Sequence, residues 1–470
     1  MDNGLLAVRC LCFAFAAMIC TVLLSWPTTV SAEPKALIMK PFEQLSDESK
    51  ECAACHKEKN PSIYAQWGRS KHYGANVGCY ECHKAEPGDK DLITHEGVDI
   101  SVIVSPKDCS QCHNQEVDQF SKSHHAKAGQ IIGSLDNFLA EVVEGALTMN
   151  GQSPAAVNGC WQCHGSEVKV LENGDLDPTT WPNTGIGRLN PDGSVGACTA
   201  CHQRHEFDMV QARRPEACGK CHLGPDHPQK EVYEESKHGI LYRAFEDNLN
   251  MDKPKWVAGQ DYYDAPTCAT CHMSATPNQS VTHDVGTRLA WNLRAPVSKR
   301  TENWEQKLAD MQDVCSACHS SSFVEGFYKQ LDSFVALYND KFAIPAKEIR
   351  EILMEKEVIS KGNFDDKIDW IYWELWHHEG RRARHGAAMS GPDYAWWHGI
   401  YDVAKHFYTE LLPETKDACE KAGKPEVYEE IIAKYIDGRK EHEWYTKGFD
   451  PKKVEETKAY YKERYQQDVK

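Results

Sequence analysis

The chemically suggestive feature of this chain is a short motif: two cysteines three positions apart, followed directly by a histidine. It occurs eight times, whereas a shuffled chain of this composition would hold about 0.04 copies. The copies are Cys52-Cys55-His56, Cys79-Cys82-His83, Cys109-Cys112-His113, Cys160-Cys163-His164, Cys198-Cys201-His202, Cys218-Cys221-His222, Cys268-Cys271-His272 and Cys315-Cys318-His319. Two such sulfurs can form thioethers with both vinyl groups of one haem, and the histidine becomes the proximal iron ligand. The pattern therefore predicts eight covalently attached c-type haems.

Other uses of paired cysteines fit the pattern less well. Zinc sites do not require a histidine after every second cysteine, and a disulfide framework would not impose one spacing eight times. One cysteine after the N-terminal segment, Cys419, lies outside the motifs. We expect a buried thiol there, with an intermolecular role as the alternative.

The composition narrows the possible partners. The 470 residues carry a formal net charge of −17, which argues against nucleic acid or an anionic membrane surface as the main partner. A content of 41% hydrophobic and 26% charged residues is typical of a globular protein.

The N-terminal 32 residues have the organisation of an export signal. Arg9 supplies the positive start, residues 10–26 are nearly all apolar, and small residues precede position 33. A membrane anchor is the alternative, but the apolar run falls short of the ~20 residues that a spanning helix needs. We therefore expect a signal peptide over residues 1–32, a mature chain without a membrane span, and a location in the periplasm or an equivalent lumen.

The elements that must position the haems divide the chain in two. Residues 33–319 hold all eight motifs and predict a haem-packed domain with little regular structure. In residues 320–470 apolar residues repeat at helical spacing, as in Phe323, Leu331 and Tyr338, and again after Pro392 through Trp397 and Tyr401. We expect these stripes to be core. The predicted fold is all-α, a multihaem cytochrome c followed by long helices, with residues 165–197 as a surface excursion.

The fourteen histidines outside the motifs decide which irons are closed by a second ligand. Three of them, His72, His125 and His238, share the local pattern aromatic-x-x-Ser-x-His, which favours axial coordination. His95, His205, His283 and His385 are weaker candidates by context alone. A haem with two histidines carries electrons, whereas an iron with a free position can bind substrate.

Three segments resemble the octahaem hydroxylamine oxidoreductases. They are residues 198–207, residues 214–227 and Ser-Lys-His-Gly around His238, and the resemblance runs in order over roughly residues 52–412. It implies a homotrimer and seven haems closed by distal ligands. Those ligands are His72, His95, His125, His205, His238, His283 and His385.

The resemblance also implies the catalytic haem. It is the fourth, on Cys160, Cys163 and His164, with Asp226 and His227 over its open face. A carboxylate and an imidazole there could relay the protons that accompany multi-electron nitrogen chemistry.

One departure from the family concerns the direction of the reaction. The oxidising members link a tyrosine of a neighbouring subunit covalently to the catalytic haem; here Tyr394 is the nearest equivalent, and its neighbours differ. The sequence thus resembles the branch without the cross-link, which implies reduction of nitrite to nitric oxide, hydroxylamine or ammonium. The first candidate for a cation that binds nitrite is Arg294; the others are Arg204, Arg213 and Arg214.

Three other functions remain open. Hydroxylamine oxidation could use the same haem. A non-catalytic electron carrier would result if His227 or another histidine closed the fourth haem, and an enzyme of sulfur oxyanions is a further possibility. In each case we expect a redox partner protein, such as a small cytochrome.

Overall fold

The computed structural model describes residues 44–145 and 153–466, so the predicted signal peptide lies outside the described residues. By contact, the chain from Gln44 onward forms one unit. The predicted boundary between positions 319 and 320 stays a prediction.

The helices up to residue 319 are short. Three motifs are each a whole five-residue helix, and helices of that length are not stable by themselves in water. The α-helices are Asp47–Lys59, Pro61–Gly68, Lys71–Gly74, Cys79–His83, Pro106–Cys109, Asn114–Lys122, Leu135–Glu144, Pro154–Asn158, Cys160–His164, Met209–Arg213, Pro215–Gly219, Gln229–Glu235, Lys237–Phe245, Cys268–His272 and Trp304–Ser316, and the 3-10 turns are Ala128–Gly133, Cys198–Ala200 and Glu246–Asn248. Tertiary contacts must therefore hold these helices in place.

Strand structure is confined to two small antiparallel hairpins within the described residues. Leu92–His95 pairs with Val98–Ser101, and Trp291–Asn292 pairs with Lys299–Arg300. With so little strand, the molecule has the all-α architecture that the sequence predicts.

Three long helices follow residue 319, spanning residues 321–355, 367–388 and 392–421. Each one alternates α and π turns. Their α parts are Ser321–Tyr338, Ile344–Glu355, Lys367–Trp373, Arg381–Ala388, Pro392–Ala395, Asp402–His406 and Leu412–Lys421, and their π parts are Asn339–Ala343, Glu374–Gly380, Trp396–Tyr401 and Phe407–Leu411. The remaining elements are the helices Pro425–Tyr435, Glu443–Lys447 and Pro451–Tyr465 and the 3-10 turn Lys440–His442.

The long helices and the helix Pro425–Tyr435 enclose an apolar core. Ile349, Leu353, Phe407 and Leu411 are fully buried in it, and so is the thiol of Cys419, as predicted. No helix in the described ranges has both the length and the apolar content that a membrane span requires.

The prediction that the aromatic stripes are core was wrong at three positions. Phe323, Trp397 and Tyr401 are 60%, 58% and 47% exposed. The π turn Trp396–Tyr401 explains the second and third, because a helix with i→i+5 bonds shifts the register of the apolar face. Phe323 stacks on the ring of His319, with centroids 4.7 Å apart, and so belongs to a motif rather than to the core.

Candidate haem sites and active site

A continuous cavity of about 3270 Å³ runs between the motifs and reaches the long helices. Residues of seven motifs, from the second to the eighth, line it. Cysteines of different motifs meet along its wall, because the thiols of Cys109 and Cys198, of Cys163 and Cys221, and of Cys218 and Cys268 are close enough to interact. Neighbouring haem-attachment sites are therefore adjacent in space.

The repeated Ser-x-His pattern has a structural cause. In two of its three copies, serine is the N-cap of a helix whose second residue is the histidine. Ser70 accepts a hydrogen bond from the amide of Tyr73, and Ser236 accepts one from Gly239. The cap thereby fixes the direction in which the side chains of His72 and His238 project from the start of each helix.

Four motif histidines each lie opposite a different predicted distal histidine, at the distance that two rings bound to one metal ion would have. Metal–imidazole bonds are about 2.0 Å long, so two rings sharing one ion have centroids roughly 6 Å apart. The observed centroid distances are 6.1 to 6.5 Å. The pairs are His56 with His95, His113 with His72, His202 with His283, and His319 with His238. The donor set therefore fits bis-histidine haem, although each ligand assignment stays a prediction.

The three other predicted distal ligands lie among the remaining motif histidines. His205 lies close enough to His83 for their charges to interact, and the His125 ring centroid is 6.1 Å from that of His222. His385 approaches Gln229, with 3.4 Å between Nε2 and the amide nitrogen. Burial lowers the pKa of His385 to about 3 and that of His125 to about 4. Both imidazoles are therefore neutral near pH 7, the protonation state that binds iron.

Asp226 and His227 form a hydrogen-bonded pair that lines the same cavity as the fourth motif. The distance from His227 Nδ1 to Asp226 Oδ1 is 2.5 Å, and the charge of His227 acts on the sulfur of Cys163. Burial would raise the pKa of Asp226, but the hydrogen bond and charge of His227 bring it down to about 2. Burial would lower the pKa of His227, and Asp226 raises it above its usual value. The pair is thus an ionised carboxylate holding an imidazole that readily takes a proton.

The sequence reasoning missed two residues of this site. Arg381 lies 3.3 Å from the second carboxylate oxygen of Asp226, and its NH1 is 2.9 Å from Nε2 of His377. Both line the cavity, and the π turn Glu374–Gly380 with the first residue after it carries them there. The Arg-Arg-Ala-Arg run just before His385 was the available signal.

The other predicted cations are placed differently. Arg294 lines the same cavity, and its carbonyl accepts a hydrogen bond from Arg381 Nε at 2.9 Å. The guanidinium of Arg213 donates to the carbonyls of Met251 and Lys253, and Arg214 pairs with a glutamate.

Tyr394 lies beside Glu235, whose carboxylate accepts from its amide at 3.2 Å. Tyr394 is not among the residues that line the cavity. Within one chain, the tyrosine is therefore not positioned beside the Asp226–His227 pair.

Comparison with known proteins finds related multihaem cytochromes. A family described as "Seven times multi-haem cytochrome CxxCH" matches residues 192–363, and "Cytochrome c554 and c-prime" matches residues 25–84 and 108–186. A "Probable nitrite reductase-hydroxylamine oxidoreductase fusion protein" of Kuenenia stuttgartiensis is 26% identical over 464 residues, covering 74% of this chain. The chain spans only 49% of that relative's length.

The chain is a multihaem c-type cytochrome that is similar in sequence to a hydroxylamine oxidoreductase fusion protein.

Two solved structures share the fold of this cytochrome. A "Hypothetical multiheme protein" superposes with a TM-score of 0.70 at 28% identity, covering 80% of this chain and 97% of its own. A Kuenenia stuttgartiensis structure titled "reducing HAO-like protein complex Kustc0457/Kustc0458" gives a TM-score of 0.56 at 22% identity, covering 82% and 88%. The two matching family descriptions, both of c-type cytochromes, indicate that Cys-x-x-Cys-His motifs of this chain bind c-type haem covalently.

Proposed function

We propose that this cytochrome binds eight haems, seven of them closed by two histidines, and reduces nitrite at the fourth, on Cys160, Cys163 and His164. The observation that carries the proposal is the Asp226–His227 pair, held with Arg381 in the cavity that the fourth motif and six others line, with the charge of His227 acting on Cys163. Nitric oxide formation consumes one electron and two protons per nitrite and releases water. Hydroxylamine formation takes four electrons and five protons, and ammonium formation takes six electrons and eight protons.

The protein side chains would supply protons and charge. A haem iron with an open position supplies the binding site for nitrogen and the electrons. His227 holds a proton at the imidazole and gives it to a substrate oxygen, while Asp226 orients the ring and stabilises its charged form. Arg381 adds a second cation, which attracts an anionic substrate.

We further propose an exported homotrimer that receives electrons from a small cytochrome through the closed haems. Exposed Trp396, Trp397 and Tyr401, next to Tyr394, offer apolar surface for subunit contact. Without a tyrosine cross-link the trimer would separate on a denaturing gel.

Hydroxylamine oxidation is the alternative, in which the same side chains would accept protons instead of donating them. It would be favoured by a haem-stained trimer band on a denaturing gel together with a displaced absorption band from one haem. A single monomer band with an ordinary c-type spectrum and a high-spin signal favours reduction.

Electron carriage alone is the second candidate function, and it requires His227 or another histidine to close the fourth haem. In that case the purified protein would show only low-spin haem and would bind neither nitrite, hydroxylamine nor nitric oxide.

The test is nitrite consumption by the haem-loaded protein with a chemical reductant. Asp226→Asn and His227→Gln should each lower kcat by roughly 10²-fold or more, the usual contribution of a general acid. Asp393→Asn is the matched control, because Asp393 hydrogen-bonds His398 at the same 2.5 Å on the surface. Equal turnover in the wild type and in both site variants would refute the proposed proton relay.

A further inference from the structure

We propose that the excursion of residues 165–197 acts as a backbone clamp that positions His164 of the fourth motif. This inference rests on the proposed role of that motif as the open haem. It concerns how the only protein ligand of that iron is held, rather than which groups meet the substrate.

The fourth motif cannot hold its own C-terminal end. It is a five-residue helix whose carbonyls have few partners within the helix, and Gly165 ends it at φ +79°. The excursion returns to supply the missing donors. The amide of Ile186 donates to the carbonyl of Cys163 at 3.0 Å, and the amide of Gly187 donates to that of His164 at 3.1 Å.

Glycines make this approach as close as two backbones allow. A Cβ built on Gly185 would lie 2.0 Å from the amide nitrogen of Gly165, and one on Gly187 would lie 2.8 Å from the carbonyl oxygen of His164. Gly187 also abuts Gly129, in the turn that follows His125. No side chain fits at any of these contacts, so displacing the excursion displaces the motif.

The excursion is itself held by a buried arginine. Arg188 is 2% exposed and donates to Asn190 Oδ1 at 2.6 Å and to the carbonyl of Asn183 at 3.2 Å. The amide of the Asn183 side chain then donates to the carbonyl of Ser166 at 3.1 Å. Hydrogen bonds therefore tie the far part of the excursion to its first residues, just after His164, which distinguishes it from a passive surface loop.

Positioning matters most at a haem with one protein ligand. At a bis-histidine haem a second imidazole resists movement of the iron, whereas here only His164 does so. Mutation of the residues that hold a metal ligand in place typically lowers metal affinity or activity by 10- to 100-fold. A loosened clamp should therefore weaken the bond between iron and His164 without altering the other haems.

Nitric oxide added to the reduced, haem-loaded protein is the probe, read by electron paramagnetic resonance. We expect Gly187→Ala and Asn183→Ala to raise the ratio of five-coordinate to six-coordinate nitrosyl roughly 10-fold, with the low-spin signals of a separate oxidised sample unchanged. Asn183→Ala introduces no clash, so it still tests the clamp if Gly187→Ala folds poorly. The controls are Gly133→Ala, where nothing lies within 4 Å of an added Cβ, and Asn173→Ala on the exposed part of the excursion.

A wild-type nitrosyl ratio in a fully loaded Asn183→Ala protein would overturn the clamp, and so would an equal change in the controls. Failure of the proposed function looks different. In that case the nitrosyl ratio responds to the variants while the wild type consumes no nitrite.

Discussion

Asp226 shares its two carboxylate oxygens between two cations. Oδ1 accepts from His227 and Oδ2 lies by Arg381, so with His227 protonated the group carries one net positive charge. The side chains are only 15% to 30% exposed, and partial burial strengthens the attraction between such a group and an anion. The group suits nitrite better than neutral hydroxylamine.

Replacing Arg381 should separate the two substrates. We expect Arg381→Gln to raise KM for nitrite by roughly 10- to 100-fold, because a hydrogen bond to a charged group contributes about 1.5–3 kcal/mol. KM for hydroxylamine should change little. Steady-state kinetics with both substrates provides the measurement.

The neighbouring arginine is the control for that prediction. Arg382 reaches Asp402 instead, at 3.5 Å, so Arg382→Gln should leave both KM values near those of the wild type. Equal losses for nitrite and hydroxylamine in Arg381→Gln would show that Arg381 holds the site together without selecting the anion.

Among the helices, π turns decide which face meets the cavity. The turn Glu374–Gly380 presents His377 and Arg381 to Asp226 while Leu375 remains fully buried in the core. Because a π turn inserts extra residue length into a helix, one element can serve a dry core and a polar site in succession. Such turns occur often at functional sites, which agrees with this placement.

A second polar contact at this scale ties the C-terminal segment to the long helices. His442 is fully buried, and its Nδ1 lies 2.7 Å from the hydroxyl of Tyr408. Burial, with the charge of Lys341, lowers the pKa of His442 to about 4. The unfolded chain binds this proton near pH 6.5, so the folded state loses stability as the pH falls from about 6.5 towards 4.

His442→Gln should remove that dependence, since glutamine can pair with Tyr408 and does not titrate. We expect its denaturation midpoint to fall less between pH 7 and pH 5 than that of the wild type, measured on the haem-loaded protein. His398→Gln, at an exposed histidine, is the control. If the denaturation midpoint of His442→Gln falls with pH as much as that of the wild type, His442 is not the group that causes the pH dependence.

The whole molecule has two different kinds of interior. In the part of the chain that the structure describes, the larger apolar cluster has 22 buried residues, all after residue 337, and the smaller has nine, all before residue 270. The cavity of about 3270 Å³ is lined mainly by residues before 320. Haem therefore has to supply the missing core there.

The chain produced without haem attachment should accordingly fold only in part. We expect limited proteolysis to cut it first within residues 44–319, whereas the long helices are cut more slowly, as mapped by mass spectrometry of the fragments. The haem-loaded chain is the control and should resist cleavage in both parts. Equal protection of both parts in the haem-free chain would show that the cofactors are not needed for the core.

The sequence by itself determined the haem chemistry and the fold class. Cys-x-x-Cys-His is a local covalent signal that needs no tertiary contact to be recognised, and 3.6-residue apolar spacing after residue 319 predicted the long helices. The serine caps at Ser70 and Ser236 are local too, which is why the pattern around His72 and His238 was visible. Each of these features lies within about one helical turn.

The composition of the site depended on contacts between distant segments. Arg381 meets Asp226 across 155 positions, and the amide of Gly187 reaches His164 from the far end of the excursion. A π turn cannot be read from apolar spacing, so Trp397 and Tyr401 looked like core while the face presented by Arg381 went unnoticed. Only the tertiary structure decides such pairings, because side chains far apart in sequence meet through packing, which periodicity does not encode.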